Sequence, residues 1–234
     1  MLTVLAYCHR LGLRRVRRTM TVLALDTASP HPAVALWFDG RLFEERLPGD
    51  RRASEDLLPA VRTVLARAGV TLLQCDRIGV CAGPGSFTGL RVGLATAWGF
   101  GRAAGLPVEA VSTLEAIADA SRTPAASRVV AALDAGRGDV VAERFDLSGP
   151  RAVSTAPAVV LRADALAEYA AGDPLAAMTG AASDPMRTAQ ASVAAALARA
   201  IARAPRNSTP ADPRLAISAI YSRPSAAEEK HGAA

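Results

Sequence analysis

Two segments of this chain repeat one design, and the repeat constrains the fold more than any other feature. VLALDTASPHPAVALWFDG, starting at Val22, and VVAALDAGRGDVVAERFDLSG, starting at Val129, each run apolar stretch, Leu-Asp, a turn of five or six residues, a second apolar stretch, Phe-Asp, turn. Asp26 and Asp134 hold the same place in the two units. Any strand-turn-strand unit resembles another, so the repeat gains its weight from context: alternating helical and strand patterns follow the first copy. The expected fold class is α/β, a duplicated fold with a mixed sheet in each half.

The local patterns fill in that frame. In the first unit TVLALD, AVALWF and RLFEERL read as a three-stranded meander, with Asp39 and Gly40 in the second turn. Ser54 is a candidate cap for a helix that carries Glu55 and Asp56 early, repeats Leu57, Leu58, Val61, Val64, Leu65 and Ala68 at helical spacing, and stops at Gly69. RIGVCAG is a buried strand, the glycine-rich stretch after it opens a helix running to about Ala104, and PVEAVSTLEAIADASR is a short strand and a helix. Beyond the second unit, LRADALAEYAAG and TAQASVAAALARAIAR read as helices with strand-like AAMTG between them, and the last ~25 residues as an extended strand and a loose tail.

The stretch GPGSFTGLRVGLATAWGFG, from Gly83 to Gly101, invites three chemical readings, and spacing removes them. A phosphate loop of the G-x-x-x-x-G-K-[ST] type needs a lysine that is absent, and a G-x-G-x-x-G fingerprint does not fit Gly83, Gly85 and Gly89. A G-x-S-x-G nucleophile turn fails as well, because Gly85 directly precedes Ser86 and no histidine lies at a plausible distance. What survives is permissive: Gly83, Gly85, Ser86 and Thr88 lead into a helix N-terminus whose free N–H groups suit an anion.

Within that helix Gly89, Gly93, Ala97 and Gly101 recur every four residues and form one ridge of small side chains, flanked by Leu90, Leu94, Trp98 and Phe100. Glycine inside a helix costs about 0.5–1 kcal/mol relative to alanine, so close packing must offset the ridge. Two kinds of partner satisfy that requirement: the protein's own sheet or first helix, or a helix of another chain.

Charge, cysteine and histidine usage narrow the function classes. The formal net charge is +5, but residues 1–19 hold Arg10, Arg14, Arg15, Arg17 and Arg18 without an acid, leaving 22 basic against 22 acidic residues beyond them. A neutral body argues against autonomous nucleic-acid binding. The arginine-rich leader lacks the apolar core and cleavage site of an export signal; an upstream start before Met20, poorly ordered, is the simpler reading. Three cysteines without a C-x-x-C pair imply a reduced, cytoplasmic protein. His9, His31 and His231 are too scattered for a zinc site, and apolar runs are too short to span a membrane.

LALDTAS, GPGSFTGLRVGLATAWGFG, PVEAVSTLEAIA and ALDAGRGDV, in this order and at these separations, resemble the TsaB (YeaZ) family of the actin-like, Kae1/TsaD-related superfamily. The resemblance is close over residues 20–146 and loose beyond. It implies a duplicated actin-like (RNase H-like) fold, with residues 20–115 as an N-terminal subdomain carrying partner-binding helices, 116–225 as a C-terminal subdomain, 1–19 as a disordered extension and 226–234 as a loose tail. It also implies a non-catalytic subunit for synthesis of N6-threonylcarbamoyladenosine in tRNA, partnered by a TsaD-like catalytic paralogue and a TsaE-like ATPase, able to form homodimers and meeting tRNA only through the complex. Catalytic and metal-binding residues are not expected in this chain, nor a cofactor of its own, with ATP or ADP placed at a subunit junction of the complex. Gly89, Leu90, Gly93, Leu94, Ala97 and Gly101 then become candidate partner contacts, and Asp26, Thr27 and Ser29 a vestigial nucleotide loop.

The chain departs from that family at three places. Ala53-Ser54 stands where many relatives have a His-Ser or His-Thr pair, Ala219 where a proline would precede Tyr221 and Arg223, and Ala28 follows Asp26-Thr27 where a glycine is usual. Asp26 therefore reads better as a turn-capping acid than as a metal-linked one. The rival readings, a glycoprotease-type peptidase and an ATP-binding enzyme of the same superfamily, lack respectively a base near Ser86 and any warrant beyond fold analogy.

Overall fold

The structure is a computed structural model, and it describes residues 20–48, 53–178 and 192–203. The expectations for residues 1–19, for the strand and tail near the C-terminus, and for Ala219, Tyr221 and Arg223 lie outside the described residues.

The meander forms as its alternation dictates: β1 (Val22–Asp26) pairs antiparallel with β2 (Ala33–Phe38), which pairs with β3 (Arg41–Arg46) across the Asp39-Gly40 turn. After α1 (Ala53–Ala68), β4 (Arg77–Cys81) returns parallel to β1, and after α2 (Phe87–Ala104), β5 (Val108–Val111) adds parallel to β4. The sheet order is β3-β2-β1-β4-β5. Gly105, at φ +67, closes α2 in the left-handed conformation and donates its N–H to Gly101. Helix α1 begins at Ala53, so Ser54 sits inside the first turn instead of capping it.

The second unit repeats this plan. Following α3 (Thr113–Ala120), β6 (Arg128–Gly136) and β7 (Asp139–Asp146) make the second hairpin, β8 (Val153–Ser154) and β9 (Val159–Arg162) both pair antiparallel with β7, and β10 (Leu175–Met178) lies parallel to β6. Each sheet therefore sets an antiparallel hairpin between one antiparallel and one parallel neighbour, which is the duplication the sequence repeat predicts. Strands β8 and β9 were not legible as strands, and the expected helix over residues 161–172 is reduced to α4 (Leu166–Ala170).

Both faces of the first sheet are covered, which is why β1 is buried at every residue. Leu57, Val61 and Val64 of α1 and Leu94 and Ala97 of α2 cover one face, packing with Leu23, Leu25, Val34, Leu36, Ile78 and Val80. The other face meets α5 (Val193–Arg203), whose Leu197 and Ile201 share a core with Val22, Ala24 and Ala35. Gly79 permits that approach: a Cβ there would stand 2.5 Å from Cδ1 of Ile201. Helix α5 follows both hairpins in sequence yet packs on the first sheet and on α3, so the two halves share one core.

Charged side chains tie the halves together at their rim. Arg77 of β4 pairs with Glu109 of β5 at 2.9 Å, and Arg151, from the β7–β8 connection, reaches both Glu109 and, at 2.8 Å, Glu115 of α3. Asp119 accepts the backbone N–H of Ala152 at 3.1 Å and the Nε–H of Arg122 at 2.6 Å.

Candidate functional site

The glycine-rich loop and the turn after β1 meet at the N-terminus of α2. Asp26 is wholly buried there. Its Oδ1 accepts the N–H groups of Ala28 and Ser29 at 3.0 and 3.1 Å, its Oδ2 accepts the Ser29 hydroxyl, and the Cys81 thiol donates to the same carboxylate. Burial pushes the Asp26 carboxyl above its ordinary value despite those donors, and burial together with the Asp26 charge pushes the Cys81 thiol well up. An acid closing its own turn in this way is an Asx turn, which matches the turn-capping reading.

The adjoining backbone is interlocked. The N–H of Ser86 donates to Ala28 O at 2.8 Å, the N–H of Thr113 to Gly83 O at 2.7 Å, and the Thr27 hydroxyl to Gly89 O at 2.7 Å. Ser86 caps α2, its Oγ accepting the N–H of Gly89 at 3.2 Å. A Cβ on Gly85 would collide with Ala28 O, and one on Gly93 with Thr27 Oγ1. Asp26, Thr27 and Ser29, which the family resemblance marks as a vestigial nucleotide loop, are buried and bonded within the chain, Asp26 and Ser29 to each other and Thr27 to Gly89 of α2, so they present no open carboxylate or hydroxyl. Gly83, Gly85, Ser86 and Thr88 do form the predicted entry into α2, yet the N–H groups of Ser86 and Gly89 are already donated internally, and Thr88 points to solvent. No group of three His, Cys, Asp or Glu side chains is placed to hold a metal ion among the described residues.

The small-residue ridge is corrected by the same geometry. Gly89, Leu90, Gly93, Leu94, Ala97 and Gly101 are all buried. Gly89 and Gly93 receive Thr27, while a Cβ on Gly101 would meet Val108 Cγ2 at 2.5 Å. The ridge therefore packs on the protein's own loop and sheet, the first of the two partners its spacing allows, and does not face another chain.

A second stripe on α2 was missed. Phe87, Arg91, Ala95, Trp98, Gly99, Arg102 and Ala103 share the outward face. Trp98 is 50% exposed and Phe87 37%, with the Arg91 guanidinium 3.7 Å from the Phe87 ring centre. A Cβ on Gly99 would meet nothing within 4 Å. Beside it α1 exposes Glu55, Leu58 and Arg62, with Leu58 at 45%. Large apolar groups exposed next to a helical glycine that no intramolecular neighbour requires mark a surface suited to another backbone. The sequence carried this signal, since Ala95, Gly99 and Ala103 recur every four residues as the inner ridge does.

Comparison with known proteins places these features. Residues 49–214 match the family model described as TsaD, tRNA N6-adenosine threonylcarbamoyltransferase. The chain is 39% identical over 122 residues to the tRNA threonylcarbamoyladenosine biosynthesis protein TsaB of Escherichia coli (strain K12), covering 52% of this chain and 53% of that protein. It is 39% identical over 124 residues to the protein of the same name from Haemophilus influenzae, covering 53% of this chain and 52% of that one. The match thus spans about half the length of these curated relatives. Among solved structures, YeaZ from Pseudomonas aeruginosa superposes with a TM-score of 0.57 at 37% identity, covering 61% of this chain and 68% of that one.

Proposed function

The chain belongs to the TsaB (YeaZ) family, within the wider group whose model is that of TsaD, and from this we propose that it is a non-catalytic partner subunit in the synthesis of N6-threonylcarbamoyladenosine in tRNA, binding and activating a TsaD-like catalytic paralogue. A TsaE-like ATPase joins the same complex, ATP or ADP sits at a junction between subunits, and tRNA is met through the assembly. The observation that carries the reading is the outer face of α1 and α2, where Leu58, Phe87 and Trp98 are exposed and open space lies over Gly99, next to Trp98. The loop that faces α2 from β1 is closed by its own residues, which supports an interaction role over chemistry within this chain.

Charge defines the partner further. Helix α2 has no acidic residue, and its outward face carries Arg91 and Arg102, joined by Arg62 on α1 against Glu55. A complementary surface is apolar at its centre and acidic at its edge, so association weakens with salt. A second copy of this chain would bring Arg91 and Arg102 toward like charges, which favours the paralogue over a homodimer. Titration calorimetry with the TsaD-like protein of the same cell tests the reading. Trp98→Ala is expected to weaken binding by about 30-fold, as loss of a central interface tryptophan does; unchanged affinity in a folded variant would remove this face from the contact.

A further inference from the structure

We infer that Thr27 is a positioning residue for the partner-binding helix: its hydroxyl, seated in the notch that Gly89 and Gly93 leave open, sets the depth and rotation of α2 and so the placement of Phe87, Arg91 and Trp98 on the opposite face. The inference rests on the reading of the outer face given above. Thr27 lies in the turn between β1 and β2, the place that the sequence resemblance assigns to a nucleotide loop, and here that turn holds a helix.

Its contacts leave α2 little freedom. Thr27 Oγ1 donates to Gly89 O at 2.7 Å, joining residues 62 apart in sequence, and the same atom occupies the volume a Cβ of Gly93 would need. A Cβ on Gly89 would lie 1.8 Å from Thr27 O, so the loop backbone is in van der Waals contact with the helix. The turn is itself held by Asp26, through Ala28 and Ser29, and by the Ser86 N–H on Ala28 O. A helix resting on a rigid turn through one hydrogen bond and two glycine notches transmits any change in that turn as a displacement along its length. Phe87, Arg91 and Trp98 stand on that length within three turns of the contact.

Substitutions at Thr27 separate this role from simple packing. Thr27→Ser keeps the hydroxyl and is expected to bind the TsaD-like protein as the wild type does. Thr27→Ala removes the bond and is expected to weaken binding by up to roughly 10-fold, because the worth of one buried hydrogen bond bounds the cost of returning α2 to its binding position. Val130→Ala, in the separate core beneath α4, serves as a control destabilised away from α2. Hydrogen exchange at the amides of residues 87–98, measured without a partner, should speed up in Thr27→Ala and stay unchanged in Val130→Ala. Equal affinity and equal exchange for Thr27→Ala and Val130→Ala would overturn the positioning role, as would Thr27→Ser behaving like Thr27→Ala. Trp98→Ala in the same titration distinguishes the failures: if it weakens binding while Thr27→Ala does not, only the positioning role falls; if it has no effect, the outer-face reading itself falls.

Discussion

Gly89 and Thr27 approach so closely that a single added carbon atom on Gly89 would stand 1.8 Å from the Thr27 carbonyl oxygen. The contact fixes which side of α2 belongs to the protein's own core.

Gly89→Ala is therefore expected to destabilise the fold, even though alanine favours a helix over glycine by about 1 kcal/mol. Backbone cannot yield as a flexible side chain does, and overpacking of this kind costs typically 1–3 kcal/mol or more. Thermal unfolding of the isolated chain checks it, and a variant with raised melting temperature would contradict the contact.

Gly99 answers oppositely. With open space around its Cα, Gly99→Ala should gain the helix preference without a clash and stabilise the chain by about 0.5–1 kcal/mol. Urea denaturation measures the gain. A loss of stability would mean that the space over Gly99 is filled within the molecule.

Asp26 gives a pH dependence of defined sign. Its folded pKa is raised by burial, so between the ordinary carboxylate range and that raised value the folded chain binds more protons than the unfolded one, and stability falls as pH rises. Below this window the carboxyl is neutral in both states and the cost of burying its charge disappears. Asp26→Asn does not titrate, so the stability of the variant relative to wild type should grow as pH climbs through the window and then level off. Urea melts across acid to neutral pH would refute this if the difference stayed constant.

Arg151 ties the β7–β8 connection to β5 and α3 through Glu109 and Glu115. Arg151→Met should cost about 1–3 kcal/mol, because Glu115 is left part-buried without its cation. Burial already raises the Glu115 pKa against the pull of Arg151, so the variant should raise it further. Denaturant unfolding gives the first quantity and carboxyl titration by NMR the second; a lowered Glu115 pKa would contradict the pairing.

What was legible in the sequence follows from range. The meander, the repeat and the span of α2 rest on local alternation and spacing, and the helix expected to run to about Ala104 ends at Ala104. Strands β8 and β9 were not, since a two-residue strand and a four-residue strand that starts just after Pro157 are too short to show a period, and both owe their form to pairing with β7. Periodicity alone does not rank the inner ridge of α2 above the outer stripe, which recurs at the same spacing; only the tertiary position of Thr27 tells which is inside. The Arg151 cluster joins residues 36 and 42 apart, and nothing in a linear pattern announces it.

The outer stripe of α2, and not the inner ridge, is the surface this account gives to a partner. Light scattering on the full chain mixed with the TsaD-like protein of the same cell tests it directly, comparing wild type with Gly99→Leu. The expected result is a one-to-one complex for the wild type and, for Gly99→Leu, a folded chain that fails to join it. A Gly99→Leu variant that enters the complex as readily as the wild type would contradict the assignment.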